Sequence, residues 1–260
     1  DRLPISLEEL DKQAAPGLSG RPAKAFKTPV SLELLGLKRE TIARNKERRD
    51  RFAACEKRYD DAVSQVVGVL KKAAKPSDAV LDAAREMVDS LVNTFLSDLD
   101  VVVSLMTTKP REETRNYHAL NVTVLSLMLA RELGLGKSQM HDLGMGALFH
   151  DVGKALNPSF FIENQPAENI DPHDDIPPEE SAAAIIAHVT DGVVLARKYR
   201  LPRRIDDFIL EHHGTMVTRY QHNQAVQAAG GDASKVDLDK FRYPGPRPQS
   251  RETALLMLAD

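Results

Sequence analysis

The sequence predicts an all-α protein, and three observations support that prediction. Apolar residues recur at steps of three or four positions through most of the chain, which is the period of one helical face. The alternation of apolar and polar residues that marks a half-buried strand is absent. Hydrophobic residues make up 42% of the 260 positions and charged residues 28%, a mixture typical of chains that bury a core.

The amino-terminal part of the chain divides into an arm and a helical extension. Residues 1–36 are rich in proline and glycine and have poor periodicity, which predicts a linker or arm. From Lys38 to Lys75 the apolar residues are spaced for one helical face, over only about two heptads. Ser77 is placed as the N-cap of a second helix whose apolar stripe runs to Met106. We therefore predict a helical extension over residues 37–110.

The rest of the chain predicts further helices separated by glycine and proline. One helix is expected over residues 114–133, ended by Gly134, and another over residues 137–149, ended near Gly153. A proline-rich, acidic loop follows over residues 157–178. The later helices are predicted at 179–199, 203–212 and 215–229, with a last one that starts near Gln249.

Charge, hydropathy and cysteine content restrict the class of protein. Lys and Arg number 35 and Asp and Glu 38, and this net charge of −3 argues against a protein that coats a nucleic-acid polymer. Apolar runs fall short of the ~18 residues that span a bilayer, and Cys55 has no partner for an internal disulfide, so we expect a soluble, cytoplasmic chain.

The chain starts without methionine and stops after the apolar run 254–259, which suggests a piece of a longer protein with a membrane or sensor segment upstream. A homodimer through residues 38–106 is a further expectation.

Histidine and aspartate carry the candidate chemistry. The dipeptide His-Asp occurs three times, but only His150-Asp151 follows a long apolar stretch, and Gly153-Lys154 comes directly after it. Burying an imidazole and a carboxylate without partners costs several kcal/mol. Metal coordination removes that cost, and so does a hydrogen-bonded His–Asp pair inside the core. The dipeptide alone leaves both readings open.

Further residues of the same types stand at apolar helix positions or helix ends, and together they favour a metal centre. Imidazole and carboxylate without thiolate suit iron or manganese better than a structural zinc site. Seven ligands are too many for one ion, so we expect two divalent ions bridged by a carboxylate, an arrangement suited to phosphodiester hydrolysis. The candidate ligands are His118, His150, Asp151, His188, His212, His213 and Asp260.

The spacing of these seven residues resembles that of the HD-domain phosphohydrolases, in the branch that holds two metals and hydrolyses bacterial cyclic dinucleotides. The likeness covers residues 111–260 and implies an HD-domain helical bundle. Residues 117–122 and 143–154 are similar to the HD-GYP phosphodiesterases, which act on cyclic di-GMP. The later segments resemble the HD domains of seven-transmembrane receptor phosphodiesterases, which act on cyclic di-AMP. That second likeness is carried by residues 157–165, 186–192, 211–215, 241–246 and 256–260.

The absence of one sequence motif indicates which nucleobase the substrate carries. The GYP motif should follow the paired histidines, but Gly214 to Tyr220 reads GTMVTRY. The resemblance therefore favours cyclic di-AMP over cyclic di-GMP. It implies hydrolysis to the linear dinucleotide by a metal-bound hydroxide that attacks phosphorus in line with the departing 3′ oxygen.

The resemblance also implies roles for individual residues. Asp151 is expected to bridge the metals as a catalytic ligand, and Lys154 to hold a non-bridging phosphate oxygen. Arg242, Tyr243 and Arg247 are candidates for phosphate or base contacts, with a rigid packing turn as the alternative reading. Three other functions remain open: an HD-GYP-type cyclic di-GMP phosphodiesterase, a catalytically silent nucleotide sensor, and a mononucleotide phosphohydrolase with a single metal.

Overall fold

The computed structural model describes residues 29–73, 77–94, 106, 115–165 and 171–260. These residues form α-helices joined by short 3₁₀ turns and loops, and the β-type pairing among them is limited to an isolated bridge between Val217 and Arg242. The predicted all-α class is confirmed. Across the described ranges the α-helices with defined bounds are α1 Pro29–Ala73, α2 Asp78–Thr94, α3 Arg115–Glu132, α4 Lys137–Phe149, α5 Pro178–Lys198, α6 Arg203–Glu211, α7 Arg219–Ala228 and α8 Arg251–Ala259.

Two compact units divide the chain, residues 1–50 and residues 51–260. In the second unit α4 is the central helix, because it packs against α2, α3, α6 and α8. Every residue of α4 from 143 to 149 is buried, as expected for a helix that is apolar on all sides. The carboxyl end of α4 therefore lies inside the molecule. The predicted boundaries after residues 36 and 110 stay predictions.

Glycine brings the segment after α4 unusually close to α5. A 3₁₀ turn at Val152–Ala155 packs against α5, and a Cβ atom added to Gly153 would lie 1.9 Å from the His188 carbonyl oxygen. The same atom would lie 2.6 Å from the backbone nitrogen of Gly192. Only glycine at position 153 permits this approach, which sets Asp151 and Lys154 beside the His188 face of α5.

Two helix starts differ from the sequence prediction. Helix α1 begins at Pro29 instead of Lys38, because proline at the first helical position has a suitable φ and lacks only an N–H that the helix does not use. Helix α7 begins at Arg219 instead of residue 215. The backbone N–H of Thr218 donates to the Phe241 carbonyl at 2.8 Å, so the chain before α7 pairs with a distant segment and not with its own helix.

The other bounds agree with the prediction to within two residues. Ser250 caps α8, since its hydroxyl accepts from the Thr253 N–H at 3.2 Å. The predicted second helix extends to Met106, but residues 95–105 lie outside the described part of the chain. Among the residues described, no helix has both the length and the apolar character that crossing a bilayer requires.

Candidate metal centre

The ends of three helices, the first turn of a fourth and the middle of a fifth deliver the seven candidate ligands to one place. His150 continues the α-helical geometry after α4, at φ −52° and ψ −39°, and the chain leaves the helix at Asp151, at φ −97° and ψ 16°. Both side chains are buried. His118 lies in the first turn of α3, His188 within α5, His212-His213 directly after α6, and Asp260 directly after α8.

Asp151 stands at the centre of the cluster, and its two oxygens face different partners. Oδ2 lies 3.5 Å from His118 Nε2 and 3.3 Å from His150 Nε2. Oδ1 lies 3.3 Å from His188 Nε2 and 3.7 Å from His212 Nε2. One carboxylate thus separates two sets of nitrogen donors.

Asp260 contributes a second carboxylate to the same cluster. Its Oδ1 lies 3.1 Å from His118 Nε2 and 3.3 Å from His150 Nε2, while its Oδ2 lies 3.6 Å from His213 Nδ1. The groups that could hold an ion are therefore one of four residues, His118, His150, Asp151 and Asp260, and one of three, His188, His212 and His213.

Backbone carbonyls set the tautomers of the three most deeply buried histidines. In each case Nδ1 lies 2.6–2.7 Å from the carbonyl oxygen three residues earlier in the chain. A carbonyl only accepts, so Nδ1 must carry a proton and each Nε2 is directed into the cluster as the metal-binding nitrogen. The pairs are His150 with Ala147, His188 with Ile185, and His212 with Ile209.

The donor set fits bound cations. His118 Nε2, His150 Nε2 and His213 Nδ1 are buried and have no hydrogen-bond partner of good geometry in the described residues. His188 Nε2 and His212 Nε2 face each other at 3.1 Å, although both rings already carry their proton on Nδ1. Two unprotonated imidazole nitrogens repel each other at this distance. A cation held by His188 and His212 would remove that repulsion, since imidazole nitrogen is a common ligand of divalent ions.

The histidines of the cluster fall into two groups according to the direction in which their pKa is shifted. Burial lowers the pKa of His118 and His150, but the neighbouring carboxylates outweigh it and raise the values to about 9 and about 10. Burial and the adjacent imidazoles lower the pKa of His188, of His212 and, to about 4, of His213. Asp151 and Asp260 stay ionised, since the buried histidines beside them hold the pKa of each carboxyl below its usual range despite burial.

Lys154 closes the site on one side, together with a residue that sequence reasoning missed. Its Nζ lies 2.7 Å from Asp151 Oδ2 and 2.7 Å from Glu163 Oε1. Burial lowers the pKa of Lys154, but these two carboxylates outweigh it and raise the pKa above its usual value. Glu163 lies on the irregular segment after α4, where helical periodicity carries no signal.

Of the four predicted substrate contacts, Lys154 and Tyr243 lie against the ligand cluster, and Arg242 and Arg247 lie beside it. The Tyr243 ring stacks on His213, with ring centres 4.2 Å apart and an interplanar angle of 30°. The Arg242 guanidinium donates to the Thr215 carbonyl at 2.9 Å, and Arg247 Nε donates to the Thr215 hydroxyl at 3.3 Å. Within the described ranges neither guanidinium forms a hydrogen bond or ion pair with the seven-residue cluster. Tyr243 is brought to the cluster, and the two arginines brace the turn beside it.

The family of the chain follows from comparison with known proteins. The HD domain family matches residues 115–260, so the chain belongs to that family, as the resemblance predicted. It is 43% identical over 117 residues to the cyclic-di-AMP phosphodiesterase PgpH of Bacillus subtilis, covering 45% of this chain and 16% of that protein. It is 30% identical over 89 residues to the cyclic di-GMP phosphodiesterase PA4108 of Pseudomonas aeruginosa, covering 34% of this chain and 21% of that protein.

A solved structure shares the fold. The HD domain of Listeria monocytogenes phosphodiesterase PgpH, in complex with cyclic-di-AMP, matches with a TM-score of 0.51 and 30% identity. The match covers 60% of this chain and 68% of that one. The aligned stretch covers only 16% of the length of the Bacillus subtilis relative.

Proposed function

We propose that the chain is the catalytic part of a metal-dependent phosphodiesterase that hydrolyses cyclic di-AMP to the linear dinucleotide. The observation that carries this proposal is the carboxylate of Asp151, whose two oxygens face two separate sets of imidazole nitrogens. Such a geometry suits a pair of ions held by one bridging group, and paired ions suit phosphodiester hydrolysis. Named relatives with this activity support the proposal.

The proposed cofactors are two divalent ions, iron or manganese, held by the seven candidate ligands. When bound, they would supply the Lewis acidity that lowers the pKa of water from 15.7 towards about 7. The chain's own contribution is to fix the donors: the carbonyl contacts of the buried imidazoles hold each Nε2 toward the centre. His118 and His150 must each give up a proton before they bind a cation.

Lys154 and Tyr243 are the proposed substrate contacts beside the ligands. Lys154 presents a half-buried ammonium group, which would donate to a non-bridging phosphate oxygen. The Tyr243 ring forms an apolar wall on His213 and would exclude water from that side. Arg242 and Arg247 stay proposed contacts of the same kind, held by Thr215 at the edge of the site.

Cyclic di-AMP is proposed over cyclic di-GMP because the matched solved structure holds cyclic-di-AMP and the Bacillus subtilis relative is named for it. The relative from Pseudomonas aeruginosa keeps cyclic di-GMP as the second candidate. The test is an assay of manganese- or iron-loaded protein with both dinucleotides side by side, with Asp151→Ala as control and the linear product resolved by chromatography. Cleavage of the guanine substrate alone would overturn the choice of base.

Metal analysis, a dinucleotide-binding measurement and a mononucleotide substrate added to this assay separate the remaining functions. A protein that carries metal and binds a dinucleotide without cleaving it is the silent sensor. About one metal ion per chain, with turnover of mononucleotides, identifies the single-metal phosphohydrolase.

We also propose a cytoplasmic location. The homodimer through residues 38–106 and the upstream membrane or sensor segment stay predictions. Sedimentation of the purified chain tests the dimer.

A further inference from the structure

Glu163 lies against the site and has no role among the seven candidate ligands. Its side chain is 11% exposed, and its Oε1 accepts from Lys154 Nζ at 2.7 Å. Lys154 is 13% exposed, and its Nζ also lies 5.1 Å from the centre of the Phe161 ring. An ammonium group has three N–H donors. Asp151 and Glu163 occupy two of them, so one donor is left for an incoming anion.

We propose that Glu163 is a positioning residue that fixes the Lys154 ammonium group, so that its remaining N–H points at a non-bridging phosphate oxygen of the substrate. The proposal rests on the phosphodiesterase function proposed above. It assigns Glu163 no contact with the substrate and no part in holding a metal.

Asp151 cannot position Lys154 by itself. The oxygen that Lys154 approaches at 2.7 Å, Oδ2, is the one that faces His118 and His150. When that oxygen serves a cation, the ammonium group competes with the ion for the same lone pairs and is repelled by its charge. Glu163 is a second carboxylate 2.7 Å from Lys154 Nζ, and it belongs to neither group of candidate metal ligands. It therefore holds the lysine in place in the metal-loaded state, where the substrate binds.

The segment that carries Glu163 is anchored at two residues just before it, Phe160 and Phe161. Phe161 is buried, and its ring meets the His188 ring edge-on at 5.7 Å. Next to it, His173 Nε2 donates to the Phe160 carbonyl at 2.8 Å, while the Ser181 hydroxyl of α5 donates to His173 Nδ1 at 2.8 Å. A carboxylate on so constrained a segment is preorganised and does not need to be ordered when the substrate arrives.

The kinetic consequence appears mainly in substrate affinity. A lysine that contacts phosphate in both ground and transition states provides uniform binding, so its loss raises KM and leaves kcat nearly unchanged. Glu163→Ala removes a charged partner and should lower kcat/KM about 10- to 100-fold. Glu163→Gln keeps an acceptor oxygen without its charge, and should lower kcat/KM only about 3- to 10-fold. Metal content should equal that of the parent in both variants.

The test is a double-mutant cycle in metal-loaded protein, with Lys154→Met as the second variant. In the Lys154→Met background, Glu163→Gln should leave kcat/KM unchanged or raise it, because it removes a half-buried carboxylate that has lost its partner. Glu86→Ala, which removes an exposed carboxylate on α2, is the matched control. Equal effects of the Glu163 substitutions in both backgrounds would overturn the proposal, as would a parallel loss of metal.

A second readout is independent of turnover. Carbon-13 relaxation of the Lys154 ε-methylene group should report a rigid side chain in the metal-loaded parent, intermediate motion in Glu163→Gln and high mobility in Glu163→Ala. If the lysine stays rigid without Glu163, the positioning role is wrong. If the ε-methylene is rigid only with Glu163 but the parent cleaves neither dinucleotide, the phosphodiesterase proposal fails and the positioning of Lys154 stands.

Discussion

Replacing Gly153 by alanine tests how closely two ligand-bearing segments must approach. The new Cβ would lie 1.9 Å from the His188 carbonyl oxygen, whereas non-bonded heavy atoms are at their optimum about 3.5 Å apart. The 3₁₀ turn and α5 would therefore have to separate by roughly 1.5 Å. Both nearest atoms belong to the backbone, the other being the Gly192 nitrogen at 2.6 Å. No side-chain rotation can relieve the clash.

The expected effect is a loss of both stability and metal. Overpacking of this kind costs about 1–3 kcal/mol. In a unit of about 200 residues each kcal/mol lowers Tm by about 2–4 °C, so Tm should fall by about 2–12 °C. Ligand distances in a metal site tolerate only about 0.2 Å, so a displacement of Asp151 away from His188 should also lower the metal content per chain.

Thermal unfolding with metal analysis checks this expectation, and the chain offers a matched control. Gly68 is an exposed helical glycine of α1 with nothing within 4 Å of an added Cβ. Gly68→Ala should raise stability by about 0.5–1 kcal/mol, because alanine has the higher helix propensity. A Gly153→Ala protein with the Tm and metal content of the parent would show that the close approach of the two segments is not required.

Two more predictions concern the core and the ions. Tyr59→Phe removes the hydrogen bond from the Tyr59 hydroxyl to Asn121 Oδ1 at 2.7 Å and should cost about 1 kcal/mol in urea unfolding. Burial raises the pKa of Tyr59 to about 12. The stability that the neutral Tyr59 hydroxyl contributes is therefore present below pH 10 and is lost as the pH rises towards 12. A loss of stability of the same size over this pH range in the Tyr59→Phe variant would contradict this expectation. If the free metal concentration is 100-fold above its Kd, chelation of the metals should lower the free energy of unfolding by about 2.7 kcal/mol or more. An unchanged Tm after verified metal removal would show that the folded chain does not bind the ions through the seven candidate ligands.

The grouping of the candidate ligands was predictable from the sequence because these residues break a local rule. His150, Asp151 and His188 interrupt apolar helical stretches, and polar groups at such positions need partners. Their spacing then matched a family whose bundle brings those positions together. Most helix bounds were predictable as well, since apolar periodicity is a local property, but the starts of α1 and α7 were not.

Other features depend on contacts that local patterns do not encode. Glu163 lies on an irregular segment, and only the folded chain brings it to Lys154. Helix α7 starts late because Thr218 pairs with Phe241, 23 positions away in the sequence. The need for glycine at position 153 follows from the path of α5 beside it, which no pattern around Gly153 indicates.

The two carboxylates of the cluster should differ in how many ions depend on them. Asp151 faces both donor sets within 3.7 Å, so Asp151→Asn should remove both ions by weakening the anionic bridge. Asp260 lies closest to His118 and His150, at 3.1 and 3.3 Å through Oδ1, and meets the second set only through Oδ2, 3.6 Å from His213 Nδ1. Asp260→Asn should therefore weaken the first ion much more than the ion held by His188 and its neighbours.

Metal analysis after dialysis against a weak chelator measures this difference. We expect about two ions per chain in the parent, about one in Asp260→Asn and close to none in Asp151→Asn, as paired sites share their bridging carboxylate. Asp142→Asn removes an exposed carboxylate of α4 and should keep the parent value. Two ions retained by Asp151→Asn would mean that its oxygens do not join the two sets, since an amide is a poor substitute for a bridging anion between two cations.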